Sequence, residues 1–338
     1  MSRRTRVAVL LGGRSSEHDI SLASARSVLE ALDPERYETV TVEIGRDGRW
    51  ELGSGSDGGS VAETLPVPTE NVPATLGEVD VVFPVLHGPF GEDGTVQGLL
   101  ELAGVPYVGA GVLGSALAMD KDVFKAVMRD RGIPVTRNIT IRQGGKPQNP
   151  FGFPAFVKPA RLGSSVGISK VHDGAELAKA VALAFEHDEK VLVEEFVEGV
   201  EVECGVLGNE QPEASLPGEI ESHGFEGADW YDYSAKYADG GMDLIVPPRL
   251  EQNVIERVQE LAVQAFVAGE VEGMARVDFF VRPDGEVLVN ELNTIPGFTA
   301  TSVYAALFEA SGVPYPELVD RLVQLALDRH ERRSRLRY

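Results

Sequence analysis

The chain has 338 residues, 43% of them hydrophobic and 25% charged, a composition typical of a globular protein with two or three subdomains. Lys and Arg number 31 against 53 Asp and Glu, and a formal charge of −22 would repel phosphate backbones and anionic lipid headgroups. No stretch has the roughly 18 apolar residues that a membrane helix requires. We therefore predict no nucleic-acid partner and no membrane partner. The single cysteine, Cys204, favours the reducing cytoplasm and a role as a small core residue.

The first third of the chain alternates between strand and helix patterns. Apolar runs predict strands at residues 7–11, 39–44, 79–86 and 106–108, and helical spacing predicts helices at residues 22–32 and 95–103. This alternation indicates a parallel sheet with helices on its faces, which is an α/β domain. The Gly- and Ser-rich residues 53–60, followed by several prolines, predict a mobile surface loop.

After Asp120 the pattern becomes that of an α+β protein. We predict helices at residues 121–131, 175–187 and 250–268 and beyond residues 301 and 316, with strands at 191–196 and 201–207 and a hairpin at 275–292. The expected domains are an N-terminal one at 1–118, a central one at 119–208 and a C-terminal one at 209–338. The last ten residues contain five arginines, which we interpret as a solvated helix end.

The predicted hairpin carries a candidate metal site. A four-residue turn at 283–286 would place opposite each other the pairs Arg282 and Val287, Asp278 and Glu291, and Arg276 and Asn293. Because side chains alternate along a strand, the polar members share one face. Two carboxylates and an amide oxygen beside one another favour a bound cation, and hard oxygen ligands select magnesium. The alternative is a strand whose polar face only meets solvent.

Two lysines are candidates for binding phosphate. Lys158 ends a strand pattern just before the loop at residues 161–167, whose glycines and serines, Ser164 and Ser165 among them, allow backbone N–H groups to approach phosphate oxygens. Lys121 begins a helix, and the apolar run at 191–197 could form the wall of a nucleotide pocket. The motif GxxxxGK[ST] is absent, which argues against a P-loop, and Gly12-Gly13 does not extend to GxGxxG, which argues against a nicotinamide dinucleotide site after the first strand.

Two polar loops are expected at the carboxyl edge of the first sheet, where open α/β sheets bind ligands. Residues 12–19 follow the first strand and include Glu17, which could hold an ammonium group. Residues 86–94 follow the third strand and place His87 where it could face Glu17 across a crevice. The alternative for His87 is a purely structural role.

Taken together, these segments resemble the ATP-grasp ligases. Over essentially the whole length, the chain is similar to the D-alanine-D-alanine ligase family. The matching segments are LLGG at 10–13, SE at 16–17, LHG at 86–88, GEDG at 91–94, MDK at 119–121, VKP at 157–159, GSSVG at 163–167, YDY at 231–233, AKY at 235–237, RVD at 276–278, ELNT at 291–294 and PG at 296–297. The resemblance implies an ATP-grasp fold, α/β and α+β, with an N-terminal Rossmann-like domain built on a parallel sheet.

The resemblance also implies roles for individual residues. Two magnesium ions, for which manganese can substitute, would be bound by Asp278, Glu291 and Asn293. ATP would contact Lys121, Lys158, Ser165, Glu194, Phe196, Val197, Glu201 and Lys236. The amino-acid substrates would contact Glu17, His87 and Ser302, and Arg276 with the Gly297 amide would stabilise an oxyanion. Ser164 and Tyr237, linked to Glu17, would hold closed a lid formed by residues 221–241.

The implied reaction is the ATP-dependent joining of two D-alanine molecules through an acyl phosphate, for peptidoglycan synthesis in the cytoplasm by a homodimer. Ligases that use D-lactate or D-serine are the first alternative, and Tyr237 favours an amine nucleophile over D-lactate because depsipeptide-forming relatives generally lack this tyrosine. A nucleotide-binding sensor without turnover is the second alternative, and a nicotinamide oxidoreductase is the third. The full set of magnesium ligands and lysines argues against a sensor.

Overall fold

The structure, a computed structural model, describes residues 3–53, 65–66, 78–163, 166–222 and 242–337. Its N-terminal part contains the strands β1 (Thr5–Gly12), β2 (Tyr37–Ile44), β3 (Trp50–Gly53), β4 (Leu65–Pro66) and β5 (Val81–Pro84), with helices α1 (His18–Ala31) and α2 (Thr95–Ala103). The strand order is β4-β3-β2-β1-β5, and β1 runs parallel to both β2 and β5. The predicted parallel sheet is thus confirmed, with β3 and β4 added as an antiparallel edge.

Strand β1 is apolar throughout because both of its faces are buried. Val7 and Val9 pack in a core with α1, whereas Ala8 and Leu10 pack on the opposite face in a core that includes residues of α2. The predicted strand at 106–108 is wrong as a regular strand, since only an isolated parallel bridge joins Tyr107 to Val82. Pro106 has no N–H to donate to a ladder. The predicted mobile loop at 53–60 lies almost wholly outside the described residues.

The middle of the chain forms an antiparallel sheet. Its elements are α3 (Val112–Met119), α4 (Lys121–Asp130), β6 (Asn138–Arg142), β7 (Ala155–Pro159), β8 (Ser169–Val171), α5 (Gly174–Ala184) and β9 (Lys190–Glu195), and the strand order is β6-β9-β7-β8. Asp120 caps α4 and Asp173 caps α5 by accepting backbone N–H groups of the first turn. Leu177 and Val181 of α5 pack with Val157 and Val193 of the sheet. The other face of this sheet is therefore available for polar side chains.

The C-terminal part contains a second antiparallel sheet together with one long helix. It comprises β10 (Val200–Gly208), β11 (Glu213–Ala214), β12 (Gly218–Ser222), β13 (Met242–Ile245), α6 (Gln252–Ala268), β14 (Gly273–Val281) and β15 (Val287–Asn293). Strands β13-β12-β10-β14-β15 form one sheet, with β11 paired to β10. Strand β10 thus belongs to the C-terminal sheet, although the sequence patterns place it in the predicted central domain at 119–208. Cys204 of β10 is fully buried, as predicted for a core residue, and burial raises the pKa of its thiol to about 12.

The last two helices, α7 (Val303–Ala310) and α8 (Tyr315–Ser334), return to the N-terminal sheet. Leu318 and Leu322 of α8 share one core with Val28 of α1 and Phe83 of β5. No helix among the residues that the structure describes is long and apolar enough to cross a membrane.

The interpretation of the C-terminal arginines as a solvated helix end is wrong for Arg329. This side chain is 3% exposed and donates hydrogen bonds to the backbone oxygens of Tyr107 and Gly109, while its guanidinium stacks over the Tyr107 ring. Arg332 and Arg333 form ion pairs with Glu272. Arg329 therefore joins α8 to the N-terminal domain by supplying donors to two backbone carbonyls, and Arg332 and Arg333 join α8 to the residue that precedes β14.

We expect Arg329→Met to lower the free energy of unfolding by about 2–4 kcal/mol, since two buried carbonyls lose a charged donor. Chemical denaturation would measure this change. The matched control is Arg335→Met, because Arg335 pairs only at the surface with Glu331, and such pairs contribute about 0.5 kcal/mol or less. Equal costs for the two substitutions would contradict the role given to Arg329.

Candidate active site

The β14–β15 hairpin places the predicted metal ligands together, but by a different register from the expected one. Val281, not Arg282, pairs with Val287, so the connection is one residue longer than predicted. A β-bulge between Asp278 and Phe279 then shifts the pairing by one residue. As a result Asp278 lies opposite Glu291 and Arg276 opposite Asn293, and both predicted pairs are confirmed.

The bulge also changes which side chains of β15 face a cavity beside the hairpin. Val289 remains in the core, while Asn290 and Glu291, although adjacent in sequence, both line the same cavity. Regular alternation would send one of them into the core. Asn290 accepts a hydrogen bond from Lys158, with Nζ 3.4 Å from Oδ1. The irregularity thus adds a polar group beside the candidate phosphate lysine.

Arg276 is the centre of a buried ionic cluster. Its Nε and Nη2 lie 2.7 Å from the two oxygens of Asp278, and Nε lies 3.0 Å from Glu203 Oε2. Asn293 donates its Nδ2 to Asp278 Oδ2 at 3.0 Å. Burial opposes the charged form, but Asp278 and Glu203 outweigh it and raise the pKa of Arg276 well above its usual value. Arg276 is therefore a permanent cation in the cleft.

Two lysines from different parts of the chain lie in the same region. Lys121 Nζ lies 3.3 Å from Glu291 Oε2 and donates to the backbone oxygen of Leu162. Lys158 Nζ lies 2.6 Å from Glu194 Oε2. Burial favours the neutral amine, but Glu194 and Glu291 outweigh it and raise the pKa of Lys158. Lys158 thus carries positive charge beside the hairpin, and Lys121 lies next to Glu291 in the same region.

The N-terminal loops meet this region from the opposite side. Glu17 is buried immediately before α1, and a side chain at Gly88 would lie only 2.7 Å from its Oε2. Gly88 therefore leaves room for the carboxylate, and its φ of 73° also favours glycine. His87 is 4% exposed, and its Nδ1 lies 3.0 Å from the Ile295 oxygen and 3.7 Å from Glu92 Oε1. The expected approach of the two loops at one crevice is confirmed, since both Glu17 and His87 line it.

Most of these side chains line one of two cavities. The first, of about 90 Å³, has a polar lining that includes Glu17, His87, Lys121, Arg276, Glu291, Asn293 and Gly297. The second, of about 580 Å³, has a lining that includes Lys158, Glu194, Phe196, Val197, Glu201, Asn290 and Glu291. The second volume is in the range of small-molecule sites. Both cavities are lined by Glu291 and Ile168, so they meet beside strand β15.

The larger cavity has an aromatic wall. Phe196 stacks against Phe156 with ring centroids 6.2 Å apart, and Lys170 Nζ lies 4.8 Å above the Phe196 ring. Phe196 remains 38% exposed, so part of its ring is open to a ligand. A flat, aromatic, partly open surface suits a nucleobase.

Not every predicted residue lines a cavity. Ser302 hydrogen-bonds to Thr299, and its Oγ would lie 3.4 Å from a side chain at Gly297, which places it beside the smaller cavity rather than in its lining. Ser164, Ser165, Lys236 and Tyr237 lie outside the described residues, as does nearly all of the predicted lid at 221–241.

Sequence patterns missed several polar residues of the site. Lys125 and Glu203 are buried partners of Glu194 and Arg276, and Asn290 is exposed to the cavity by the bulge. A signal existed for Lys125, which follows Lys121 by four residues and so lies on the same helix face. The sequence carries no local signal for the bulge, and for this reason sequence patterns missed Asn290.

The predicted metal ligands on the hairpin have the chemistry that a hard divalent cation requires. Asp278 and Glu291 offer carboxylate oxygens from directly opposed positions, and the amide of Asn293 is hydrogen-bonded to Asp278. No group of three or more His, Cys, Asp or Glu residues suited to a metal occurs in the described part of the chain. The predicted set is of a different kind, since it contains only two carboxylates together with an amide.

His87 provides a pH-dependent test of the crevice. Burial alone would lower its pKa, but Glu92 and Glu17 outweigh burial and raise it above the usual value. A raised pKa in the folded state stabilises the protein below the unfolded pKa of about 6.5, and this contribution disappears as the pH rises through the folded pKa. We therefore expect His87→Gln to lower the thermal midpoint more at about pH 6 than at about pH 8.5. His172→Gln, at an exposed histidine, is the control. An equal cost at both pH values would contradict the pairing with Glu17 and Glu92.

The three sheets and the two joined cavities define the ATP-grasp class of enzymes. Family models described as D-ala D-ala ligase N-terminus and D-ala D-ala ligase C-terminus match residues 6–110 and 127–324. A curated relative, D-alanine-D-alanine ligase A of Mesorhizobium japonicum, is 48% identical over an alignment of 364 positions covering 98% of this chain and 100% of the relative. The chain belongs to the D-alanine-D-alanine ligase family, and the predicted family and fold class are confirmed.

Solved structures agree with this assignment. The VanG D-Ala:D-Ser ligase of Enterococcus faecalis has a TM-score of 0.85 and 36% identity over 96% of this chain and 100% of its own. The D-alanine-D-alanine ligase of Bacillus anthracis complexed with ATP has a TM-score of 0.79 and 27% identity over 97% and 99% of the two chains. The similarity thus extends over both cavities.

Proposed function

We propose that this protein joins two D-alanine molecules into D-alanyl-D-alanine for peptidoglycan synthesis, converting ATP into ADP and phosphate. The observation that carries the proposal is that Glu291 and Ile168 line both cavities. A nucleotide in the larger cavity could thus present its γ-phosphoryl group to a carboxylate in the smaller one. The family membership and the ATP complex of the Bacillus anthracis relative support the same reaction.

The larger cavity is proposed as the ATP site. Phe196 and Val197 would contact the base, Glu201 the ribose, and Lys158 the phosphates, with Glu194 setting the position of Lys158. Lys121, beside Glu291, would contact phosphate from the other side. Ser165 and Lys236 are proposed as further ATP contacts from sequence alone.

Asp278, Glu291 and Asn293 are proposed to bind two magnesium ions, or manganese in their place. When bound, the metal would neutralise charge on the phosphates during phosphoryl transfer. The chain's own lysines share this task, because Lys121 lies 3.3 Å from Glu291 and Lys158 lies in the cavity that Glu291 lines.

The smaller cavity is proposed as the amino-acid site. Glu17 would bind the ammonium group of the first D-alanine, whose carboxylate receives the phosphoryl group and becomes an acyl phosphate. The amine of the second D-alanine then loses a proton and attacks the carbonyl carbon. Arg276 and the Gly297 N–H, which both line this cavity, would stabilise the resulting oxyanion before phosphate leaves.

Four groups are proposed to position the second substrate and exclude water. His87 lies within the crevice, and Ser302 lies next to Gly297 at its edge. Ser164 and Tyr237 are retained from the sequence resemblance as groups that hold the lid closed. Excluding water protects the acyl phosphate from hydrolysis.

The proposed organisation has three domains, at 1–118, 119–208 and 209–338, in a cytoplasmic homodimer. The three sheets support a division into three parts, with β10 contributing to the third sheet from within the second range. The dimer and the location stay predictions from the sequence.

The test is magnesium-dependent ADP release with products identified by mass. D-alanine alone should give ADP and D-alanyl-D-alanine in equal amounts, and L-alanine should give neither. D-serine and D-lactate, each in excess over D-alanine, test the alternative suggested by the similarity to the VanG D-Ala:D-Ser ligase. A mixed product exceeding D-alanyl-D-alanine would overturn the assignment of the second substrate, and ATP binding without ADP release would indicate a sensor.

A further inference from the structure

Helix α4 delivers two lysines to the active-site region, but only one has a role so far. Lys121, Phe124, Lys125 and Met128 are its buried residues, with the spacing of one helix face. Phe124 and Met128 enter the hydrophobic core beneath the hairpin. Lys125 is 0% exposed, which is rare for a lysine without a specific partner.

The partner of Lys125 is the carboxylate that also holds Lys158. Lys125 Nζ lies 2.6 Å from Glu194 Oε1, and Lys158 Nζ lies 2.6 Å from Glu194 Oε2. Lys125 also donates to the Thr136 hydroxyl. One carboxylate therefore bridges two amines, each of which has its own oxygen.

Strand geometry explains why these groups meet. On β9, Val191 and Val193 face the core under α5, which leaves Glu194 on the opposite face. Lys158 of the neighbouring strand lies in the cavity with Glu194, whereas Lys125 does not line it. Lys125 thus approaches Glu194 from behind the cavity wall.

The charges of this bridge do not cancel. Two ammonium groups on one carboxylate give the bridge a net charge of +1, and Lys158 is the amine that borders the cavity. Burial lowers the pKa of Lys125 to about 8, which reflects the cost of placing it there. A buried ion pair is weak evidence for stability, because apolar groups of similar volume often serve equally well. A function for Lys125 is therefore the better explanation.

We propose that Lys125 is a positioning residue for the ATP site. By occupying Glu194 Oε1, Lys125 restricts Lys158 to Oε2, so the Lys158 ammonium keeps its place at the cavity and part of its charge for a phosphate oxygen. The inference rests on the proposed use of ATP and adds to it a residue that does not touch the nucleotide. Without Lys125, Glu194 would pair only with Lys158 and would neutralise the charge of its ammonium group.

The test is Lys125→Met, which keeps the length of the side chain and removes its charge. We expect the KM and the Kd for ATP to rise at least about tenfold, corresponding to about 1.4 kcal/mol. The KM for D-alanine at saturating ATP should change less than about twofold, since the amino-acid cavity is not lined by Lys125. An unchanged ATP affinity would overturn the inference.

Lys190→Met is the matched control for the loss of a buried lysine. Lys190 Nζ lies 2.5 Å from Asp120 Oδ1, and its side chain is 4% exposed, but it lines neither active-site cavity. This variant should lose thermal stability and retain its ATP affinity. If Lys190→Met weakened ATP binding as much as Lys125→Met, the effect would be structural and the inference wrong.

A double variant tests whether Lys125 acts through Glu194. If it does, Lys125→Met should raise the Kd for ATP less than about threefold when it is introduced into Glu194→Gln, where no carboxylate remains for Lys125 to hold. A cost of Lys125→Met that is as large in Glu194→Gln as in the wild-type protein would overturn the mechanism.

Two further measurements keep the outcome decisive. If Lys125→Met does not fold, Thr136→Val removes only the hydroxyl partner of Lys125 and should raise the Kd for ATP about threefold, and no change would overturn the inference. The Kd for ATP is measured without D-alanine. A wild-type protein that binds ATP but forms no dipeptide would therefore contradict the proposed function and leave the test of Lys125 intact.

Discussion

Glu291→Gln is expected to reduce kcat for dipeptide formation by about 1000-fold and to raise the magnesium concentration for half-maximal activity at least tenfold. Glu291 lines both cavities, lies opposite Asp278 and pairs with Lys121 at 3.3 Å. The substitution preserves shape and hydrogen-bonding capacity but removes the charge that a divalent cation requires. Steady-state kinetics over a magnesium titration would measure both effects.

Glu286→Gln is the control on the same hairpin. Glu286 is a half-exposed residue of the turn that pairs with Arg282, outside both cavities. It should leave kcat and the magnesium requirement within about twofold of wild type. If Glu291→Gln retained a normal magnesium requirement, Glu291 would not be a metal ligand.

Arg276→Lys is expected to reduce kcat at least about 100-fold while the KM for ATP changes less than about threefold. The guanidinium holds both oxygens of Asp278 and also contacts Glu203, a geometry that one ammonium cannot reproduce. Because lysine keeps the positive charge, the two buried carboxylates retain a counterion and the fold should survive. The loss would then report on stabilisation of the oxyanion.

The control for Arg276→Lys is Arg137→Lys. Arg137 binds Glu195 through Nε and Nη2 at 2.9 and 2.8 Å, so this variant also loses a guanidinium contact, but Arg137 lines neither cavity. Its kcat should stay within about threefold of wild type. Near-normal turnover of Arg276→Lys would contradict the oxyanion role.

The hairpin illustrates how a prediction can be correct at the site and wrong beside it. The expected pairing of Arg282 with Val287 fails by one residue, yet Asp278 does face Glu291 because the bulge restores the offset. Strand alternation and the positions of the polar residues were enough to predict which residues lie opposite each other. The turn length and the bulge depend on contacts of the whole sheet, which local patterns do not contain.

The charged residues show a similar limit. Arg329 is nearly buried and Lys125 is fully buried, although arginine and lysine side chains are usually exposed to solvent. Each is buried because a distant segment supplies acceptors, namely the carbonyls of Tyr107 and Gly109 for Arg329 and the carboxylate of Glu194 for Lys125. Sequence patterns predicted helices α4 and α8 but not what their faces would contact.

The sequence by itself determined the alternating N-terminal sheet, the opposed polar pairs on the hairpin and the family, because periodicity and motif spacing are local properties. Only the tertiary structure decided that the two cavities meet at Glu291, that Asn290 turns toward Lys158, and that Lys125 and Lys158 share Glu194. These relations join residues far apart in the chain. They arise because buried charges must find partners wherever the packing of the sheets provides them.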